Sequence, residues 1–157
     1  MDWVLFAVFL FACGASMTSG AIFPPGPWYE ALKKPGWTPP DWVFPVTWIV
    51  LYLCIAFAAS RVAVLPGTGI AMALLAAQFG FNVLWTPVFF GLRRMGAAFV
   101  VVMLLWVSVA GTMLAFFQHD VLAGLLFVPY IIWVTIAAAL NFTVWRMNPD
   151  VEPLGAS

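Results

Sequence analysis

Gln78, Asn82, Trp85 and Phe89 recur at helical spacing within one apolar stretch, so at about 100° per residue they share a narrow stripe. An amide exposed to hydrocarbon without a partner is costly, so Gln78 and Asn82 must face another helix or a ligand. Tyr130, Trp133, Ala137 and Asn141 form a matching stripe further along, where Ala137 leaves a gap between larger neighbours. Indole faces stack on flat rings, amides orient polar edges, and the neighbouring Lys33 and Lys34 could meet carboxylates. That chemistry is binding of a planar aromatic amphiphile. The plainer alternative, amides that only fasten helix to helix, stands equally on these residues alone.

Covalent chemistry has little to work with. The sequence offers no Ser/His/Asp set, carboxylate pair or metal cluster, and His119 beside Asp120 reads as a solvated turn residue. No catalytic residue, metal or obligatory cofactor is predicted. Any catalysis would have to be photochemical, with tryptophan as the electron or oxygen-species partner. Cys13 and Cys54 lie inside apolar runs, where thiols behave as small hydrophobes.

The elements that position these residues follow from composition. Of 157 residues, 65% are hydrophobic and 8% charged, whereas soluble domains are about half apolar and a quarter charged. A spanning helix needs about 20 apolar residues. Five such stretches are present, at 3–23, 43–65, 70–91, 96–117 and 122–144. The fold class is therefore an all-α integral membrane protein, a five-helix bundle forming one domain over 1–157. The first stretch resembles a signal peptide, but Asp2 replaces the usual basic start and the run is long enough to span, so it is read as a retained helix.

Lys33, Lys34, Arg93, Arg94 and Arg146 gather on one side of the bundle and Arg61 on the other. The positive-inside bias places the first side and the C-terminus in the cytoplasm and the N-terminus away from it. Six basic and six acidic residues cancel, which excludes a nucleic-acid partner. No ionisable residue sits mid-span, which argues against ion-coupled transport.

The first connection interleaves six prolines with Trp28, Tyr29, Trp37 and Trp42. A disordered linker would be poor in aromatics, so an ordered cap with a helical turn around residues 28–34 is predicted; an interfacial aromatic belt is the alternative. At 1.5 Å per residue, Trp48, Asn82 and Trp133 lie about 8, 13 and 18 Å in from the capped end. They can converge on one covered site.

Two further stripes complete the reading. Gly69, Ala73, Ala76 and Gly80 lie opposite Asn82 and suit close helix approach, predicting a homodimer interface. Phe99, Met103, Trp106, Ala110 and Met113 share one face of the fourth span, a pattern that more often means core packing than ligand contact.

The run Trp28-Tyr29, Lys34-Pro35-Gly36-Trp37-Thr38-Pro39-Pro40-Asp41-Trp42-Val43-Phe44-Pro45, with Trp48 and Leu51-Tyr52, resembles the signature of the TspO/MBR family. These are the tryptophan-rich sensory proteins, bacterial kin of the mitochondrial translocator protein or peripheral benzodiazepine receptor. Asn82, Trp85-Thr86-Pro87-Val88-Phe89-Phe90-Gly91, and Pro129-Tyr130 through Trp133 to Leu140-Asn141-Phe142 extend the match. The resemblance implies a dimeric five-helix protein that binds porphyrins such as protoporphyrin IX or haem for transport or sensing, and in relatives cholesterol and benzodiazepine-type ligands. It implies a ligand site beneath the first connection at Tyr29, Trp37, Pro40, Phe44, Trp48, Asn82, Trp85, Trp133, Ala137 and Leu140. It also implies an alternative, light-dependent porphyrin breakdown involving Trp48 and Trp133. The family's sterol-linked motif departs here, with Phe142 where it calls for Tyr.

Overall fold

The computed structural model describes residues 2–154. All regular elements among them are helical: α1 (Trp3–Ile22), α2 (Pro27–Ala31), α3 (Val43–Val62), α4 (Gly69–Thr86) running into a π-turn (Pro87–Gly91), α5 (Met95–His119), α6 (Val121–Leu126) and α7 (Val128–Met147). Five helices, α6 and α7 counted as one, are long and apolar enough to cross a membrane. Phe11 and Ile70 are 80% and 77% exposed, an arrangement that suits hydrocarbon and not water. The chain is an integral, multi-pass membrane protein.

Asp2 caps α1, its carboxylate accepting from the amides of Val4 and Leu5 at 2.8 and 3.1 Å, which answers two of the orphan donors at a helix start. The buried face of α1 is small: Cys13, Ser16 and Ser19. Both hydroxyls bond back to carbonyls of their own helix, so α1 packs closely on α3 without stranded polar groups. Around the bundle, α1 touches α3 and α4, α4 touches α5, α5 touches α7, and α6 closes onto α3.

Two irregularities depart from the sequence reading. The fifth span is not one helix over 122–144 but α6 and α7, divided at Phe127. Pro129, in the first turn of α7, has no N–H to donate and tolerates only that position. At Pro87 the third span widens into the π-turn, where the Leu92 amide reaches back to the Pro87 carbonyl at 2.8 Å. The π-turn is held close to the end of α1: a Cβ on Gly91 would lie 2.9 Å from the Phe23 ring. The second span ends at Val62, three residues early, and Gly67 turns the chain with φ 75°.

The inward and outward faces of α4 follow the predicted wheel. Gln78, Asn82 and Phe89 are buried, while Gly69, Ala73, Ala76 and Gly80 are exposed. In α5 the wheel is different. Val102, Leu105, Val109, Thr112 and Phe116 fill the core, and the stripe through Phe99 and Trp106 lies at its margin, with Met103 exposed.

Candidate functional site

The predicted residues divide between a cap, a layer of rings beneath it and a deeper polar layer. The cap is the first connection. Its helical turn is shorter than predicted, Pro27–Ala31, started by Pro27. Trp28 and Tyr29 set their rings edge-on to Phe89 with centroids 5.9 and 6.2 Å away, and Tyr29 also meets Phe90 at 5.3 Å. Leu32 plugs the bundle below, buried with Phe89, Met95, Ala98, Leu140 and Val144. Burial pushes the Tyr29 phenol above its ordinary pKa, and the charge of Asp41 adds to the shift.

The cap is fastened by a residue that sequence reasoning passed over. The Asn148 amide group donates to the Lys33 carbonyl at 2.9 Å and accepts from the Lys33 amide at 3.0 Å. Asn148 stands directly before Pro149, and nothing in that pair points to a partner in the first connection. Arg93, at φ 55°, holds its guanidinium 5.7 Å from the Trp28 ring centroid, and Lys34 places its ammonium 4.4 Å from the Tyr29 ring.

Beneath the cap, rings from three spans join one hydrophobic cluster. Trp85 stacks on Phe89 at 5.1 Å, Phe44 meets Trp133 edge-on at 5.5 Å, and Trp48 lies 5.2 Å from Tyr52 and 6.0 Å from Tyr130. Leu140 is buried and Ala137 half-buried beside them. Trp37 and Pro40, both exposed, stand away from this cluster on the outer side of the connection. The structure thus gathers Tyr29, Phe44, Trp48, Asn82, Trp85, Trp133, Ala137 and Leu140 at the capped end and leaves Trp37 and Pro40 at its rim.

The amides are mostly answered from within. Asn82 donates to the Tyr52 hydroxyl at 3.3 Å, and Asn141 accepts from the Trp85 indole at 3.0 Å while donating to the Met95 carbonyl at 2.9 Å. The Tyr130 hydroxyl donates to Gln78 Oε1 at 2.6 Å. Gln78 Nε2, fully buried, has no partner among the described residues. These amides therefore do fasten the helices, and Gln78 keeps one donor free at the floor of the cluster.

Five spans, with an aromatic and amide-lined end roofed by a latched Pro/Trp segment, define a small polytopic membrane protein organised around that covered end. The chain belongs to the TspO/MBR family, whose pattern it matches over residues 3–146. It is 57% identical to the tryptophan-rich sensory protein of Cereibacter sphaeroides, over 94% of each chain. It is 49% identical to the protein CrtK of Rhodobacter capsulatus, over 98% of this chain and 99% of that one. The translocator protein of Homo sapiens is 36% identical over 77% of this chain and 75% of its own.

Proposed function

We propose that the capped end binds a porphyrin-type tetrapyrrole, protoporphyrin IX or haem, and that the protein serves its transport or sensing. The observation that carries this reading is that Phe44, Trp48, Trp85 and Trp133, from three spans, belong to one hydrophobic cluster, with Phe44 and Trp85 packed against the cap's Leu32 cluster as well. Flat rings gain most from such faces, and a bound macrocycle would exchange ring-to-ring contacts for ring-to-ligand ones. Lys33 and Lys34 at the rim suit propionate arms. The names of the relatives, sensory protein and translocator, agree with a ligand-handling role.

In this reading the capped end, with Lys33, Lys34, Arg93, Arg94 and Arg146, faces the cytoplasm. The exposed small-residue face at Gly69, Ala73, Ala76 and Gly80 joins two copies in the bilayer. Cysteine placed at Ala73 should then crosslink to a dimer in native membranes, and absence of that band would remove the interface.

The deciding experiment is titration of the purified protein with protoporphyrin IX and with cholesterol, read by quenching of tryptophan fluorescence. Saturable porphyrin quenching is expected, with affinity weakened about tenfold, or about 1.4 kcal/mol, in Trp48→Ala or Trp133→Ala. Unchanged affinity in both variants would remove the site.

A further inference from the structure

Helices α3 and α7 frame the capped end yet barely touch each other. α3 packs on α1 and α6, and α7 packs on α5. Before the break at Phe127, α6 packs on both α5 and α3; after it, α7 keeps to α5 alone of the two. Rings, Phe44 against Trp133 and Trp48 against Tyr130, bridge the gap that the backbones leave.

On the outer side of that gap lies a cleft of about 240 Å³. Its walls are Val46 and Val50 from α3 and Ile132 and Ile136 from α7, between 37% and 54% exposed, and its floor is Leu51 and Trp133, at 2% and 8%. The walls belong to membrane-spanning helices, so they face acyl chains, and whatever fills the cleft arrives from the bilayer. The volume falls short of the roughly 300 Å³ at which pockets begin to seat small molecules. It fits a doorway better than a resting place.

Trp133 belongs to both compartments: it floors the cleft, and its ring closes on Phe44 beneath the cap. The water-facing route is shut more firmly. There Asn148 bonds the Lys33 backbone twice and Leu32 is 6% exposed. Parting one ring pair disturbs less than lifting this cap.

Resting on the binding reading above, we infer that a flat hydrophobic ligand reaches the capped site sideways from the bilayer, edge-on between α3 and α7, with Phe44 and Trp133 parting as the gate while the cap stays latched. The passage alters the path to the site and not the bound state. Filling it should therefore slow arrival and departure together.

The test uses the full chain in lipid nanodiscs, protoporphyrin IX as probe and stopped-flow porphyrin fluorescence. Val50→Trp with Ile136→Trp, which narrows the cleft from both lipid-facing walls, is expected to slow association and dissociation each about tenfold with Kd unchanged. Ile132→Trp alone is a second, independent obstruction should the double variant fail to fold. Parental rates in the obstructed variants, with faster association in Asn148→Ala, would overturn the gate in favour of passage under the cap. Loss of affinity on obstruction, with rates of association kept, would overturn it by making the cleft the seat. A parent with no saturable porphyrin binding at all would remove the binding reading, and the gate with it.

Discussion

The two ends of the bundle are built from different side chains. Away from the cap, Ala58, Ala59, Val62, Val109, Phe116, Ala123 and Phe127 are all fully buried, and small residues let the helices approach closely. A Cβ on Gly124 would lie 2.3 Å from the Phe117 ring. That end is locked by the Arg61–Asp120 ion pair at 2.6 Å. At the capped end large rings, buried or half-buried and set mostly edge-on, stand between the helices, and a π-turn interrupts the third span. Close packing of small residues resists opening, whereas rings can trade one flat partner for another. The sealed end suits stability, and the ringed end suits the recognition proposed for it.

The strongest way to break that division is at Phe116, which packs on Phe127 with centroids 5.0 Å apart. Phe116→Ala should cost about 3 kcal/mol of stability through the cavity it leaves, measured by thermal or denaturant unfolding in detergent, while porphyrin affinity stays at the parental value. Trp133→Ala should show the reverse, a loss of affinity larger than its loss of stability. If Phe116→Ala weakened binding as much as Trp133→Ala, the two ends would not be separable.

A smaller effect is expected at the lock. Desolvation raises the Asp120 carboxyl, but the Ala123 amide together with the hydrogen bond and charge of Arg61 outweighs it and holds the group below its ordinary value. A depressed folded value means that the contribution is fully present above the unfolded pKa of about 3.9 and is lost as pH falls through the lower folded one. Asp120→Asn should therefore cost less than about 1 kcal/mol near neutral pH and should remove part of the acid sensitivity of unfolding. An unaltered pH profile would show that the pair contributes nothing.

Much of this division was legible in the residues. Length and hydropathy marked the five spans, because hydrocarbon thickness leaves few alternatives, and the wheel sorted the faces of α4 and α7, because an amide cannot face lipid. What escaped were features set by distant partners. His119 read as a solvated turn residue, and nothing beside it pointed to the pairing of Asp120 with Arg61, 59 positions away. Asn148 gave no hint of Lys33, 115 positions away. Pro129 lay inside an apolar run where a first-turn proline disturbs no periodicity, so the break at Phe127 was invisible. The Phe99 stripe misled because aromatic residues serve the lipid-facing margin as well as the core. Trp37 and Pro40 carry the proline-tryptophan signature, and they stand at the rim of the ring cluster rather than within it.

The most direct measurement of the central claim is hydrogen exchange by mass spectrometry on the protein in nanodiscs, with and without protoporphyrin IX. Protection gained on binding should be confined to the connection around Trp28–Lys34, the π-turn and its flanks, and the stretches of α3 and α7 around Trp48 and Trp133. Protection gained instead along the sealed end, around Ala59, Phe116 and Ala123, or spread evenly over the bundle, would contradict it.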